Sequence, residues 1–166
     1  MTNPIIFWLI TILVVGSALA VVLLRNIVHS ALFLIVTFVG VSGLYILLQA
    51  DFLAAVQLLV YAGAVAILIV FGVMLTVRGD IKNSNMFNSY KLSGGIVALV
   101  FFLIVERIIL KTDWVLSTAA MPESTVGPIA DSLLGNFVIP FEVAAVLLLV
   151  AMVGAILLAR GEGKPQ

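Results

Sequence analysis

The chain has 166 residues, of which 64% are hydrophobic and only 10% are charged, and its formal net charge is zero. A soluble globular domain is nearer half apolar and a quarter charged, so this composition favours a polytopic membrane protein. Without a net positive charge there is no basic surface to indicate nucleic-acid binding. The chain has no cysteine and a single histidine, which removes the thiolate ligands of iron–sulfur clusters and structural zinc. We therefore expect no metal and no redox cofactor on this chain.

The first two apolar stretches are each long enough to cross a bilayer. Residues 4–24 amount to about 21 residues, or roughly 31 Å of helix, against a hydrocarbon core of about 30 Å. A short polar hinge that begins at Arg25 separates them from a second span over residues 28–48. Gly40 and Gly43 indicate that another backbone packs closely against this second helix, because small residues let helices approach each other in lipid.

The third stretch, residues 52–77, is the most informative part of the sequence. It amounts to about 26 residues, or roughly 39 Å of helix, which is more than a bilayer requires. Gln57 and Tyr61 are four residues apart and therefore project from the same face. Polar groups near mid-membrane are costly unless they face a partner or a water-filled cavity, so the pattern predicts a helix inside a bundle. A run of small residues follows, namely Ala62, Gly63 and Ala64.

Two further apolar stretches, residues 91–110 and 137–159, predict a fourth and a fifth span. The intervening residues 111–135 contain Pro122 and Pro128 with several Ser and Thr, and they predict an exposed loop. A hydrophilic loop over residues 79–90 joins the third span to the fourth. The sequence thus predicts an all-α polytopic membrane protein, a single membrane domain over residues 1–166 with five transmembrane helices.

The distribution of basic residues predicts the orientation of these five spans. An odd number of spans places the two termini on opposite faces, and one face carries most of the Lys and Arg. The positive-inside rule makes that face cytoplasmic, with the N-terminus outside and the C-terminus inside. The basic face holds Arg25, Arg78, Lys82, Lys91, Arg160 and Lys164, and the other face holds Arg107 and Lys111.

Three segments of the chain resemble one protein family. Residues 57–64, QLLVYAGA, are similar to the signature of a membrane subunit of respiratory complex I, called NADH-quinone oxidoreductase subunit J or chain 6. Residues 25–32, RNIVHSAL, resemble the start of that family's second helix, and residues 136–160 resemble its last helix. Two positions depart from the family pattern. Ile27 stands where many members have proline, and Gln57 stands where some have an acidic residue, so the resemblance carries no titrating role over to Gln57.

The resemblance implies a non-catalytic membrane-arm subunit of a proton-translocating NADH:quinone oxidoreductase. In that family the third helix has a π-bulge and is thought to switch between α and π forms, coupling quinone reduction to proton translocation. A π-bulge adds one residue to a turn, and small side chains lower the steric cost of switching. The residues that the resemblance assigns to this switch or proton path are Tyr61, Gly63, Gln57, Ala62 and Ala64.

The same resemblance implies the surroundings of the chain. Its expected partners are the quinone-site subunit, a small multi-helix subunit and antiporter-like subunits of the membrane arm. Quinone, iron–sulfur clusters and flavin would belong to other subunits. The expected location is the cell inner (plasma) membrane or another energy-coupling membrane.

Several residues admit a structural and a functional interpretation. Asp51 precedes the third helix and Glu142 follows Pro140 at the start of the fifth, so each carboxylate suits a helix cap, or alternatively a proton relay. Tyr61 is a gate or a packed aromatic whose hydroxyl bonds a neighbouring chain. Gln57 lines a wetted path or holds two helices together.

Two other functions compete with the complex I subunit. One is the equivalent subunit of a related membrane-bound hydrogenase or cation antiporter complex. The other is an independent small transporter, which is disfavoured because the sequence shows no internal repeat. No Lys, Arg, Asp or Glu lies at the centre of any predicted span, which is unlike a chain that carries protons across alone. The sequence therefore favours a gate or coupling element.

Overall fold

A computed structural model describes residues 4–76, 91–114 and 124–160. Every regular element within these ranges is a helix, and five of the helices are long and apolar enough to cross a membrane. This confirms the predicted all-α, five-span class. The predicted polar loop over residues 79–90 lies outside the described residues. The helices are α1 Pro4–Leu23, α2 Ile27–Leu47, α3 Asp51–Leu75, α4 Lys91–Lys111, α5 Val126–Leu134 and α6 Val138–Ala159.

The chain divides into two compact units. One contains α1, α2, most of α3, α5 and α6, and the other contains α4. Within this second unit, two side chains donate to carbonyls in the last turn of α4. The Thr112 hydroxyl donates to the Ile108 carbonyl at 2.7 Å, which also accepts the Thr112 N–H at 3.0 Å, and the Trp114 indole N–H donates to the Ile109 carbonyl at 3.1 Å. The Trp114 bond supplies a donor near the helix end, where the last carbonyls have no intrahelical partner.

Helices α1 and α2 form a tightly packed pair. Asn26 caps α2, because its side-chain oxygen accepts a hydrogen bond from the Val28 N–H at 3.0 Å. A Cβ atom added to Gly40 would lie 2.6 Å from Val14 Cγ2, and one added to Gly43 would lie 3.3 Å from Ile10 Cδ1. The close neighbour predicted from these two glycines is therefore α1, and the prediction is confirmed.

A short turn reverses the chain between α2 and α3. Gln49 has a backbone φ of 56°. This lies in the left-handed region, which a residue other than glycine adopts only where the surrounding structure holds it. The next residue, Ala50, donates its N–H to the Tyr45 carbonyl at 2.9 Å. The turn brings α3 back along α2, and the two helices pack against each other.

The prediction of an exposed loop over residues 111–135 is partly wrong. Residues Val126–Leu134 form the helix α5. Pro128 lies in its first turn, where the missing N–H has no intrahelical acceptor to lose, so the proline that suggested a loop is compatible with a helix. Ile129 and Leu133, four residues apart, are its less exposed side. The chain then turns through Gly135 into α6, which packs against α5.

Candidate functional site

The middle of α3 is a π-helix. Residues Gln57–Val65 have π-helical hydrogen bonding over 9 residues, between α-helical parts at Asp51–Val56 and Ala66–Leu75. At its C-terminal end the Ala66 N–H bonds the Tyr61 carbonyl, five residues back. All five residues that the resemblance assigned to a switch lie within this π-helical segment. Such segments are rare and are frequent at functional sites.

The π-helical segment changes which residues of α3 are buried. Ala54, before the segment, and Gln57, its first residue, are buried, and Ala66, directly after it, is 0% exposed. Along the segment, the buried side of α3 moves from Gln57 to the half-buried Ala62, which is five residues further along the chain. A continuous α-helix would advance about four, since it has 3.6 residues per turn, and would place Tyr61 there instead. The segment thus rotates the second half of α3 by about one residue, or roughly 100°.

Gln57 and Tyr61 lie differently within the bundle. Gln57 opens the π-helical segment and is only 8% exposed, so it is among the few buried polar side chains described. The Tyr61 ring packs edge to face on Phe38, with ring centroids 5.8 Å apart and an interplanar angle of 63°. Tyr61 nevertheless remains 46% exposed within this chain. Its ring is held by α2 while part of its surface is exposed.

Gly63 is fitted closely to the π-helical backbone. A Cβ atom at this position would lie 3.3 Å from the Leu58 carbonyl oxygen, tighter than nearly all real Cβ contacts. By contrast, a Cβ atom at Gly72, further along the same helix, meets nothing within 4 Å. Of the adjacent small residues, Ala62 is half-buried and Ala64 is exposed. Glycine at 63 therefore removes a contact that would oppose the i→i+5 geometry.

Asp51 links the start of α3 to the start of α5. Its carboxylate accepts the Thr125 N–H at 3.1 Å and the Thr125 hydroxyl, together with the Ser124 hydroxyl at 3.4 Å. In return the Thr125 hydroxyl oxygen accepts the Phe52 N–H at 3.2 Å. Each helix start thus receives an acceptor from the other. The N-cap residue of α3 is Ala50, which has no capping side chain.

Glu142 lies in α6, one turn after the helix begins at Val138. Its side chain is exposed, and within the described part of the chain α6 has no buried residue. The carboxylate is therefore directed away from a packed interior of this chain. A charged group on a membrane helix is costly in lipid, which favours contact with another subunit or with water.

Sequence reasoning overlooked three side chains that hold α3. Ser42 of α2 is 2% exposed and donates its hydroxyl to the Ala54 carbonyl at 3.0 Å. Ser124 and Thr125 bind Asp51 from a segment predicted to be a loop. The neighbouring glycines gave no signal for Ser42, since Gly40 and Gly43 face α1 whereas Ser42 bonds α3. Its partner, the Ala54 carbonyl 12 residues away, could not be predicted from the sequence.

The described residues contain no group of three or more His, Cys, Asp or Glu side chains that could hold a metal ion. The candidate site is instead made of small, amide and phenol side chains on one irregular helix. Such residues can bind or release water and take part in a change of helix register. The fold and this site define a multi-pass helical membrane protein whose central helix is built around a π-helical segment.

Comparison with known proteins assigns the family. The family model for NADH-ubiquinone/plastoquinone oxidoreductase chain 6 matches residues 17–158. The chain is 43% identical over 162 residues to NAD(P)H-quinone oxidoreductase chain 6 of Synechocystis sp., covering 96% of this chain and 82% of the relative. It is also 43% identical over 165 residues to the chloroplastic subunit 6 of Marchantia polymorpha, covering 92% and 85%. The chain belongs to the oxidoreductase chain 6 family, as its resemblance predicted, and its homologues are complex I subunits.

Proposed function

We propose that this chain is a non-catalytic membrane-arm subunit that couples quinone reduction to proton translocation through α3. The proposal depends on one observation, the π-helical segment at Gln57–Val65 in the middle of a membrane-spanning helix. A helix that holds one extra residue in a turn can return to α geometry by rotating one half against the other. That rotation gives a way to convert quinone reduction at a distant site into a local rearrangement of α3.

The rotation would exchange residues of different chemistry at the face that packs on α2. In the π form Ala62 and Ala66 are the more buried residues, and Tyr61 is 46% exposed. In the α form Tyr61 and Val65 would take their places. A phenol hydroxyl can hydrogen-bond water or a neighbouring polar group, whereas an alanine methyl cannot. The two forms of α3 would thus differ in whether a polar group lines this part of the bundle.

The wider assembly follows from the same proposal. Quinone, iron–sulfur clusters and flavin would reside on other subunits, and this chain would contact the quinone-site subunit, a small multi-helix subunit and antiporter-like subunits. The basic residues place the C-terminus on the cytoplasmic side of an energy-coupling membrane and the N-terminus outside. Glu142, exposed on α6, would face one of these partners or a wetted path. Asp51, bound by Thr125, acts in this account as a helix cap and not as a relay.

The substitution Gly63→Val tests the coupling role. A β-branched side chain at 63 would press on the Leu58 carbonyl oxygen in the π form, so we expect the α form to be favoured. Proton translocation per quinone reduced should fall while the complex still assembles. Gly72→Val is the matched control, because its Cβ atom meets nothing within 4 Å in this chain. Unchanged proton translocation by an assembled Gly63→Val complex would contradict the coupling role.

The composition of the purified assembly separates the competing complexes. We would extract native membranes in mild detergent, capture a tagged copy of this chain, and identify the co-purifying subunits by mass spectrometry. Recovery with quinone-site and antiporter-like subunits is the expected result. Recovery with hydrogenase or cation-antiporter subunits would instead assign the chain to one of those complexes, and recovery of the chain alone would favour a transporter.

A further inference from the structure

Ser42 makes an unusual hydrogen bond for a hydroxyl in a membrane helix. It is 2% exposed, and its hydroxyl donates to the Ala54 backbone carbonyl of α3 at 3.0 Å. Two other hydroxyls of the same bundle meet side chain to side chain, because the Thr37 hydroxyl of α2 lies 2.9 Å from Ser17 Oγ of α1 and can donate to it. Ser17 donates to the Val14 carbonyl at 3.1 Å, and Thr37 lies 3.0 Å from the Phe33 carbonyl. Ser42 instead crosses from α2 to the backbone of the neighbouring helix.

The carbonyl that Ser42 binds lies at the start of the π-helical segment. Gln57 is the first π-helical residue, and its N–H is shared between the Leu53 and Ala54 carbonyls. Ala54 is therefore where the hydrogen bonding of α3 departs from the regular i→i+4 pattern. In an uninterrupted α-helix the Ala54 carbonyl would accept from the Leu58 N–H. The backbone donor that the structure shows at this carbonyl is instead the Gln57 N–H, which it shares with the Leu53 carbonyl.

The Ala54 carbonyl has only a share of the Gln57 N–H, and an incompletely bonded carbonyl is costly within a bilayer, where no water is available to bond it. A hydroxyl from another helix lowers that cost, because it supplies a donor that does not depend on the register of α3. A carbonyl oxygen has two lone pairs, so the hydroxyl does not prevent the α form. Its effect is to stabilise the π form relative to the α form.

We propose that Ser42 is a positioning residue that fixes where the α-to-π transition of α3 begins, through its bond to the Ala54 carbonyl. The inference rests on the proposed function of α3 and adds a residue on α2 that sets the balance between its two forms. Ser42 holds the part of α3 that precedes the π-helical segment. The part beyond Gln57 is then the part that rotates.

The test is electron cryo-microscopy of the intact complex carrying Ser42→Ala. The hydroxyl contributes one buried interhelical hydrogen bond, so we expect the ratio of π to α particles to fall roughly three- to fivefold. Ser17→Ala is the matched control, because it removes another buried serine hydroxyl (5% exposed) whose hydrogen bonds, to Val14 and from Thr37, lie within the α1–α2 pair and not on α3. Ser42→Cys keeps the size and a weak donor, and should give an intermediate ratio.

An unchanged π-to-α ratio in Ser42→Ala, equal to that in Ser17→Ala, would overturn the inference. If Ser42→Ala does not assemble, Ser42→Cys decides, and a parental ratio in that variant overturns it equally. Proton translocation separates this inference from the proposed function. A lowered ratio with normal proton translocation would support the role of Ser42 and contradict coupling through α3. An unchanged ratio with uncoupled Gly63→Val would contradict only the role of Ser42.

Discussion

Tyr61 combines a fixed ring with an accessible hydroxyl-bearing edge. Its ring packs on Phe38, which orients it, while 46% of the side chain remains exposed for contact beyond this chain. A residue that served only to pack would function equally well without its hydroxyl. A residue that gates a proton path would not. The two interpretations of Tyr61 therefore differ in whether its hydroxyl oxygen is needed.

Tyr61→Phe removes that oxygen and keeps the ring contact with Phe38. We expect assembly and quinone reduction to persist and proton translocation to fall, because the phenol supplies the hydrogen bond that changes as α3 rotates. The measurement is proton uptake per quinone reduced in reconstituted vesicles. Tyr45→Phe, on α2, is the matched control for loss of a phenol from the same bundle. Parental coupling in Tyr61→Phe would show that the hydroxyl has no part in the mechanism.

Residue chemistry indicated part of this site before the structure. Gln57, Tyr61 and Gly63 could be singled out because polar and small residues cluster on an otherwise apolar helix. The roles of Ser42 and Thr125 could not, since each depends on a carbonyl or carboxylate that is distant in sequence. Hydrogen bonds of this kind are set by how the helices pack, and the local sequence does not encode the partner.

The helical elements themselves followed closely from hydropathy. Helix α1 ends at Leu23 and α2 begins at Ile27, each one residue from the predicted boundary, because long apolar runs leave little freedom in lipid. The π-helical segment was harder to predict from the sequence. The family resemblance implied its location, but its extent from Gln57 to Val65 depends on which backbone hydrogen bonds form. Helix α5 was overlooked because Gly127 and Pro128 resemble loop residues.

The α1–α2 pair gives a prediction at the scale of helix packing. Gly40→Leu would place a Cβ atom 2.6 Å from Val14 Cγ2 and 3.8 Å from Val14 Cα, so α1 has to move. We expect destabilisation of about 1–3 kcal/mol, typical of overpacking. Gly16→Leu is the control on the opposing helix, since a Cβ atom there meets nothing within 4 Å. Equal thermal midpoints of the two variant complexes would contradict the packing described.

At the scale of the whole molecule, the Asp51–Thr125 contact joins two segments 74 residues apart in sequence. It holds the first turn of α3 against α5, which leads directly into α6. The loop segment before α6 is therefore more than a connection between spans. It fixes one end of the helix that carries the π-helical segment.

Asp51→Ala and Thr125→Ala should have effects that are not additive. Both remove the hydrogen bond between the Asp51 carboxylate and the Thr125 hydroxyl, so we expect each to lower the thermal stability of the complex and the double variant to lower it by less than the sum of the two. Asp131→Ala, an exposed carboxylate on α5, is the control and should have no such dependence on Thr125. Additive losses from Asp51→Ala and Thr125→Ala would show that the contact contributes nothing to stability.

The central claim is that α3 changes between π and α forms as quinone is reduced. It is tested most directly by electron cryo-microscopy of the intact complex, frozen at rest and during turnover. We expect two populations in turnover, one with Ala66 buried and i→i+5 bonding over Gln57–Val65, the other with Val65 buried in its place and α bonding throughout. A single form of α3, identical at rest and in turnover, would contradict the account.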